Sequence, residues 1–307
     1  MKRYQTFILL VLATTFWGAN FNVGKYAVEA MSPIGVAAWR FGLAAIGMLI
    51  ILFARQKVNW SNVKENLPTY IAMGAIGVFG FNACFFFGLK MTSPMNGSLI
   101  MALNPMLTVL LSAILLKERI SARQVLGLSL SLFGVLIVVS NGSLGNLLKL
   151  GVSNGDLVIF AGNICWALYA VIGKRFLRQS PPLQTTTFSM LSGSLLLIAL
   201  AFVRGDAPSL VAQPTGVIAA IAFMAFAGSI LAYLWWNNAI AEIGAARTAV
   251  FFDLVPITTM LISISFGARV GLMQLIGSLF VLVGVAFSSG VRVKSPLAVP
   301  KQKGVAA

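Results

Sequence analysis

The chain has 307 residues, of which 59% are hydrophobic and only 9% are charged, and it contains no histidine. Soluble globular domains carry about 25% charged residues, so this composition excludes an ordinary soluble protein and indicates an integral membrane protein. The formal net charge of +15 would suggest nucleic acid binding in a soluble protein. Here the basic residues lie at the ends of apolar stretches, so we expect no nucleic acid partner.

A helix needs about 20 largely apolar residues to cross a bilayer. With charged residues taken as boundaries, the sequence predicts ten such spans, over about 6–28, 34–54, 69–90, 96–116, 123–141, 156–177, 184–203, 216–240, 247–267 and 272–290. The apolar region of the first span is too long, and too often interrupted by polar residues, for a cleaved signal peptide. The predicted fold class is therefore an all-α integral membrane protein with ten transmembrane helices.

The distribution of lysine and arginine predicts the orientation of these spans. If the N-terminus is cytoplasmic, most basic residues fall inside, and those that fall outside are Lys25, Lys90, Lys149, Arg204 and Arg269. This asymmetry follows the positive-inside rule, so both termini are predicted to face the cytoplasm. The basic inner face is expected to contact a bilayer with an anionic inner leaflet.

The first span carries a motif that returns later in the chain. Trp17–Tyr26 reads WGANFNVGKY and Trp166–Arg175 reads WALYAVIGKR, so that Trp, Gly and Lys recur after 149 positions. With five spans in each half, the second copy enters the membrane from the opposite side, which predicts two inverted five-helix repeats around a central cavity. Inverted repeats are common in secondary transporters. The predicted domains are a first repeat (1–143), an external linker (144–155), a second repeat (156–290) and a basic cytoplasmic tail (291–307).

Aromatic and amide side chains share one stripe of the first span and the matching stripe of the sixth. The members are Trp17, Asn20 and Phe21 in the first span and Trp166 and Tyr169 in the sixth, with Asn163 at the edge of the stripe. This composition does not suit a lipid-facing surface, so we interpret these residues as substrate-binding. The alternative is helix packing, in which the amides hydrogen-bond to neighbouring helices. Asn82 and Phe85 of the aromatic-rich third span are further candidates.

Ionisable residues within spans are costly and often mark a transport pathway. Asp253 in the ninth span is a candidate for binding a cationic group or a proton, against the alternative of an ion pair with a basic residue such as Arg247. Lys25, Arg40 and Lys174 are candidates for a charge or coupling role. Their alternative role is to anchor the helices by reaching the membrane surface.

Prolines and glycines recur at matching positions of the two halves. Pro105 in the fourth span matches Pro256 in the ninth, and each is expected to bend its span, either as a fixed shape or as a hinge for alternating access. The matching glycines of the fifth and tenth spans are Gly127, Gly134, Gly277 and Gly284. They suit close helix packing, within the fold or between protomers. We therefore expect either a monomer or a homodimer.

An enzymatic function is not expected. Cys84 and Cys165 are isolated within spans, and the few carboxylates lie nearly all in loops. No metal cluster or nucleophile–base pair can be assembled, and no glycine-rich phosphate loop is found. We predict no metal, no cofactor and no ATP-driven pump, so that transport would depend on a gradient or on exchange.

Two groups of residues resemble the EamA-type members of the drug/metabolite transporter superfamily. They are Trp17, Gly18, Asn20, Phe21, Lys25, Ser32, Pro33, Arg40 and Phe41 near the start, and Asn104, Pro105 and the segment 115–121 at the end of the first half. The likeness covers about residues 6–290 and implies ten helices in two five-helix repeats. One departure is that relatives usually carry an acidic residue in the second repeat at the position matching Glu118, and this chain has none there.

The resemblance implies export, with amino acids or their derivatives as the leading substrate class. We therefore expect a carrier of a small organic metabolite in the bacterial inner membrane, working by alternating access. One alternative is an efflux carrier for drug-like or cationic compounds, for which Asp253 would be the counter-charge. An alternative of another class is a membrane scaffold or receptor that does not transport.

Overall fold

A computed structural model describes residues 3–117, 121–140, 153–206, 209–243, 250–267 and 269–288, and all regular secondary structure in these ranges is helical. The first half contains α1 (Arg3–Ala30), α2 (Pro33–Arg55), α3 (Trp60–Met73), α4 (Phe81–Met91), α5 (Pro94–Met101), α6 (Asn104–Leu116) and α7 (Ala122–Ser140). The second half contains α8 (Asn154–Phe176), α9 (Pro182–Val203), α10 (Thr215–Ala225), α11 (Ala232–Ile243), α12 (Leu254–Ser265) and α13 (Leu272–Ser288).

Seven helical stretches in the described ranges are long and apolar enough to cross a membrane. They are Tyr4–Ala30, Pro33–Arg55, Trp60–Met91, Pro94–Leu116, Asn154–Phe176, Pro182–Val203 and Thr215–Trp236. Shorter apolar helices lie at Val125–Gly134, Leu254–Ser265 and Leu272–Gly284. The predicted all-helical membrane fold is confirmed, and its arrangement as ten helices in two inverted repeats stays a prediction. Glu118, Arg247, most of the predicted linker and the tail lie outside the described residues.

The helix that contains the third predicted span begins ahead of that span. It starts at Trp60, where the side chain of Asn59 caps it. The Oδ1 atom of Asn59 accepts hydrogen bonds from the backbone N–H groups of Ser61 (3.1 Å) and Asn62 (3.3 Å). A capping asparagine satisfies donors that a helix start leaves free, and it can begin a helix ahead of the apolar stretch.

Two long helices contain a π-helical turn at the point where another helix crosses them. Gly74–Gly80 joins α3 to α4, and Phe226–Leu231 joins α10 to α11. A Cβ on Gly77 would overlap the side chain of Tyr169, and a Cβ on Gly228 would overlap the amide of Asn20. Asn20 and Tyr169 occupy the same place in the two copies of the repeated motif. Each motif helix therefore packs on a π-helical turn from the other half of the chain.

The fourth predicted span is broken between α5 and α6, and a side chain from α8 bridges the break. The Nδ2 atom of Asn163 donates to the carbonyl oxygen of Ile100 (2.7 Å), and its Oδ1 atom accepts from Nδ2 of Asn104 (2.7 Å). Backbone groups released inside a membrane need such partners, because no water is available there. Asn163 thus stabilises the interruption from a neighbouring helix.

The two matching prolines lie at the starts of helices. Pro105 is in the first turn of α6, directly after the break, and Pro256 is near the start of α12, directly after the 3₁₀ turn Val250–Asp253. In a first turn the missing N–H of proline has no helical partner to lose. Both spans therefore depart from a straight helix, as expected. Each does so through an interruption just ahead of its proline. Whether these points act as hinges stays a prediction.

The first motif helix is bonded to α12 of the second half. Thr259 Oγ1 donates to the carbonyl of Gly18 (3.0 Å), and Asn22 Nδ2 donates to the carbonyl of Thr259 (3.1 Å). Ser263 Oγ in turn donates to Oδ1 of Asn22 (2.7 Å). A Cβ on Gly18 would overlap Thr258, so only glycine allows this approach. Both motif helices are thus held by elements of the opposite half, which places them at the centre of the fold.

The glycines of α7 and α13 pack against each other within one chain. A Cβ on Gly134 would lie 2.6 Å from the carbonyl oxygen of Gly277 and 2.7 Å from the backbone nitrogen of Val281. A Cβ on Gly284 would lie 2.5 Å from the carbonyl oxygen of Gly127. The sequence left open whether these glycines pack within the fold or between protomers. In the structure they allow α7 and α13 of one chain to pack closely.

Candidate substrate cavity

A cavity lies between the two halves of the chain, at the motif tryptophans. It consists of a first chamber of about 50 Å³ and a second chamber of about 280 Å³. Trp17, Trp166, Tyr233 and Phe252 line both chambers and form an aromatic partition between them. The first chamber is also lined by Asn20, Phe21, Arg40, Phe81, Phe85, Met101 and Val255, and the second by Asn104, Pro105, Tyr169, Ala170, Thr186 and Trp236.

The aromatic partition is centred on Tyr233. The centroid of its ring lies 5.8 Å from that of Trp17 and 5.9 Å from that of Trp166, and both contacts are edge-on. Phe252 lies 5.6 Å from Trp17 and extends the partition. Edge-to-face rings at such separations attract each other beyond the gain from burial. The two motif tryptophans, one from each half of the chain, therefore meet on either side of one tyrosine.

The two tryptophans are held in different ways. The Nε1–H group of Trp17 donates to the carbonyl of Gly228 (2.9 Å), which lies in the second π-helical turn. Trp166 instead stacks on Tyr169, with ring centroids 5.2 Å apart and 3° between the planes. Its indole makes no hydrogen bond within the described residues. The orientation of Trp17 thus depends on a polar contact, and that of Trp166 on stacking.

This difference predicts unequal effects of two matched substitutions. Trp17→Phe is expected to lower the free energy of unfolding by about 0.5–1.5 kcal/mol more than Trp166→Phe, since only the first removes a hydrogen bond. Both variants lose similar ring area, so Trp166→Phe is the control. Thermal unfolding in detergent measures both. Equal losses would mean that the Trp17 donor contributes nothing to stability.

Arg40 is the charged residue among the described lining of the first chamber. It is only 5% exposed, and its Nε–H donates to Oγ of Ser229 (3.1 Å) in the second π-helical turn. The guanidinium carbon lies 4.8 Å from the ring centroid of Phe41 and 5.8 Å from that of Phe86. α2 therefore brings a buried positive charge to a chamber whose other lining is mostly aromatic and apolar.

Most of the residues predicted to bind substrate do lie in the cavity wall. Those that line a chamber are Trp17, Asn20, Phe21, Phe85, Trp166 and Tyr169. Asn163 lies behind the wall and reaches it through its bond to Asn104. Asn82 is buried and lines neither chamber; its Nδ2 donates to the carbonyl of Val78 in the first π-helical turn (2.8 Å). The position of Asn82 indicates that it stabilises that turn.

The charged candidates are placed differently from one another. Lys25 lies at the end of α1, where its Nζ donates to the carbonyl of Lys90 (3.1 Å), and Lys174 is exposed at the end of α8. Neither lines the two chambers. The side chain of Asp253 lies outside the described part of the structure. Arg40 is thus the charged candidate that the structure brings to the cavity.

Several lining residues are not among those predicted from the sequence to bind substrate. They include Asn104, Phe81, Met101, Phe252, Thr186, Tyr233 and Trp236. Tyr233 and Trp236 belong to the YLWWNN segment, whose aromatic and amide content was visible. From the sequence alone, aromatic residues near the end of a span are expected to form a belt at the membrane surface rather than to contact substrate. The nearby π-helical turn, which regular helical spacing does not predict, changes which face these residues occupy.

Comparison with known proteins agrees with this architecture. The EamA-like transporter family matches residues 5–140 and 153–290. The chain belongs to this family. The resemblance to EamA-type transporters, carried by the motif residues of the first half, is thereby confirmed, and this EamA-like chain is a multi-pass membrane protein. Membership implies a small-molecule substrate and a lipid environment.

Relatives of this EamA-like chain cover nearly its whole length. It is 49% identical over 291 residues to the uncharacterized transporter YyaM of Bacillus subtilis (strain 168), with 95% of each chain covered. It is 26% identical over 296 residues to a Salmonella typhimurium protein named a probable amino-acid metabolite efflux pump, covering 93% of this chain and 94% of that one. A crystal structure of 19% identity has a TM-score of 0.67 and covers 94% of this chain and 97% of its own. That last likeness concerns the fold.

Proposed function

We propose that this EamA-family protein is a secondary carrier that exports a small organic metabolite, with amino acids or their derivatives as the first class to test. The observation that carries the proposal is the two-chambered cavity at the centre of a membrane-spanning helical fold. Its walls come from both halves of the chain, and they combine aromatic and apolar side chains with a few polar groups, as the walls of small-molecule sites do.

The substrate class is supported by the character of the cavity. Aromatic rings and apolar side chains form most of the first chamber, with Arg40 and Asn20 as its polar members. Such a wall suits an amphipathic molecule that has one polar end and one apolar end. Amino acids and their derivatives are the first class to test because a Salmonella typhimurium relative is named a probable amino-acid metabolite efflux pump.

The proposed mechanism is alternating access of two inverted five-helix repeats. The aromatic partition separates the two chambers, and moving Trp17 away from Tyr233 would join them. Interrupted helices border the cavity at Pro105 and near Pro256, where a helix can change direction with little loss of backbone hydrogen bonding. In this proposal both termini face the cytoplasm, and the two repeats rock against each other around the partition.

Counterflow into proteoliposomes tests the proposed function. Purified protein is reconstituted with an excess of unlabelled amino acids and derivatives inside, and uptake of labelled members from outside is followed. We expect uptake faster than in empty liposomes, and a parallel run with a proton gradient distinguishes proton coupling from exchange. Hydrophobic cations are assayed in the same way. If neither these cations nor any amino acid or derivative moves or binds, the carrier function is wrong. If only the hydrophobic cations move, the amino-acid class is wrong and the cation carrier is right.

A further inference from the structure

Arg40 is a buried cation without a counter-ion among the described side chains. It lies within Pro33–Arg55, a helix long and apolar enough to cross a membrane. The ion pairs in the described part of the chain join Arg178 to Glu65 and Arg204 to Asp206, and neither involves Arg40. A charge held inside a membrane protein is costly and by default marks a functional position.

The guanidinium group of Arg40 also leaves most of its donors unused. An arginine side chain offers five N–H donors in a planar fork. The bond to Oγ of Ser229 occupies the donor on Nε, and the two terminal NH₂ groups have no acceptor within the described residues. Because Ser229 holds Nε, the fork is oriented while its two outer nitrogens stay available.

A purely structural role accounts for only part of this arrangement. The rings of Phe41 and Phe86 lie 4.8 Å and 5.8 Å from the guanidinium carbon, and such contacts stabilise the charge. Ring faces do not satisfy the in-plane N–H groups of the fork. An oxyanion that binds both outer nitrogens would satisfy these groups and neutralise the charge, and carboxylates match this geometry.

We propose that Arg40 binds the carboxylate of the transported molecule in the first chamber. The substrate is then an amino acid or another organic acid, whose apolar part rests against Phe81, Phe85 and the partition. This inference rests on the proposed carrier function and makes it more specific, because it requires an anionic group that amines lack. Ser229 acts as a positioning residue, since it contacts Arg40 and is absent from the described lining.

Two matched sets of probes test the inference. The aromatic set is phenylalanine, 3-phenylpropionate, phenylalaninamide and phenethylamine, and the aliphatic set is leucine, 4-methylpentanoate, leucinamide and 3-methylbutylamine. Each set separates the carboxylate from the amine on one carbon skeleton. Binding is measured by the shift in thermal unfolding of the full-length protein in detergent, and transport by counterflow in proteoliposomes.

The variants are Arg40→Gln, Arg40→Lys and a control, Arg204→Gln. Arg204 is half exposed at the end of α9 and lines neither chamber. In the wild type we expect the acids and the amino acids to bind, and the amides and amines to bind at least about tenfold more weakly. Arg40→Gln should weaken acid binding about 10- to 100-fold, the usual effect of losing a charge-assisted hydrogen bond. Arg40→Lys should restore part of this loss, and Arg204→Gln should match the wild type.

The results that would overturn the carboxylate site at Arg40 differ from those that would overturn the carrier function. If the wild type transports acids and amides equally well, the carboxylate site is wrong while the carrier function stands. The same holds if Arg40→Gln unfolds like the wild type and transports acids at the wild-type rate. If the wild type neither binds nor moves any probe of either set, the amino-acid carrier and the carboxylate site are both wrong. If Arg40→Gln fails to fold, the comparison of acids with amides in the wild type still tests whether the site requires a carboxylate.

Discussion

Alanine in place of Gly77 is expected to abolish counterflow and to lower the free energy of unfolding by about 1–3 kcal/mol, the usual cost of overpacking. The new Cβ would overlap Tyr169, including the Cβ of that residue. A Cβ is fixed to its backbone, so no rotation of Tyr169 relieves the overlap and α8 must move as a whole. Trp166 stacks on Tyr169 and would move with it. The aromatic partition and the second chamber would both be distorted.

Two other glycines supply graded controls for this prediction. The atoms nearest to a Cβ on Gly228 would be those of the Asn20 amide, which can rotate, so Gly228→Ala should cost less than Gly77→Ala. A Cβ on Gly42 would lie 3.5 Å from Cδ1 of Ile198, an ordinary contact, so Gly42→Ala should be neutral or slightly stabilising. Wild-type transport by Gly77→Ala would contradict the requirement for close packing at the first π-helical turn.

The sequence predicted the helical class and the motif stripe because both depend on local spacing. Trp17 and Phe21, or Trp166 and Tyr169, lie on one face of a regular helix wherever that helix packs. Apolar length likewise identified the membrane-spanning stretches. The charges did not show that the helix containing the third span begins ahead of it, because Asn59 caps this helix within a polar segment.

The residues that the sequence missed depend on irregular backbone and on packing. A π-helical turn contains an extra residue, and each extra residue turns the following side chains by about 100° relative to a regular helix. Tyr233 follows such a turn in α11, and Asn82 follows one in α4. Tyr233 consequently lies at the centre of the cavity, whereas Asn82 bonds to its own helix. A regular spacing of about 3.6 residues per turn, continued through the π-helical turn, predicts neither of these positions.

The role of Asn163 could not be predicted from the sequence, although the sequence showed both features that it connects. The sequence indicated a polar residue at the edge of the motif stripe and a distorted fourth span at Pro105. It could not indicate that the first stabilises the second, since Ile100 and Asn163 are brought together only by the packing of α8 on α5 and α6. The same limit applies to Arg40, whose unused donors become apparent only from the described neighbours.

Alanine in place of Gly134 is expected to destabilise the protein by about 1–3 kcal/mol. Its Cβ would lie 2.6 Å from the carbonyl oxygen of Gly277 and 2.7 Å from the nitrogen of Val281. Both are backbone atoms of α13, so the overlap can be relieved only by separating α7 from α13. The midpoint of thermal unfolding in detergent measures the effect, with Gly42→Ala as the control. An unchanged midpoint would contradict close packing of these helices.

Transport by the molecules that remain folded distinguishes this substitution from Gly77→Ala. Neither α7 nor α13 contributes to the described lining of the two chambers, so Gly134→Ala should keep the counterflow rate per folded molecule near that of the wild type. Gly77→Ala should abolish counterflow even by folded molecules, because Tyr169 lines the second chamber. If Gly134 served a contact between protomers, the substitution would change the oligomeric state and leave the unfolding midpoint unaltered. Size-exclusion chromatography measures the oligomeric state, and thermal unfolding measures stability. Because Gly134 contacts α13 of the same chain, we expect a loss of stability.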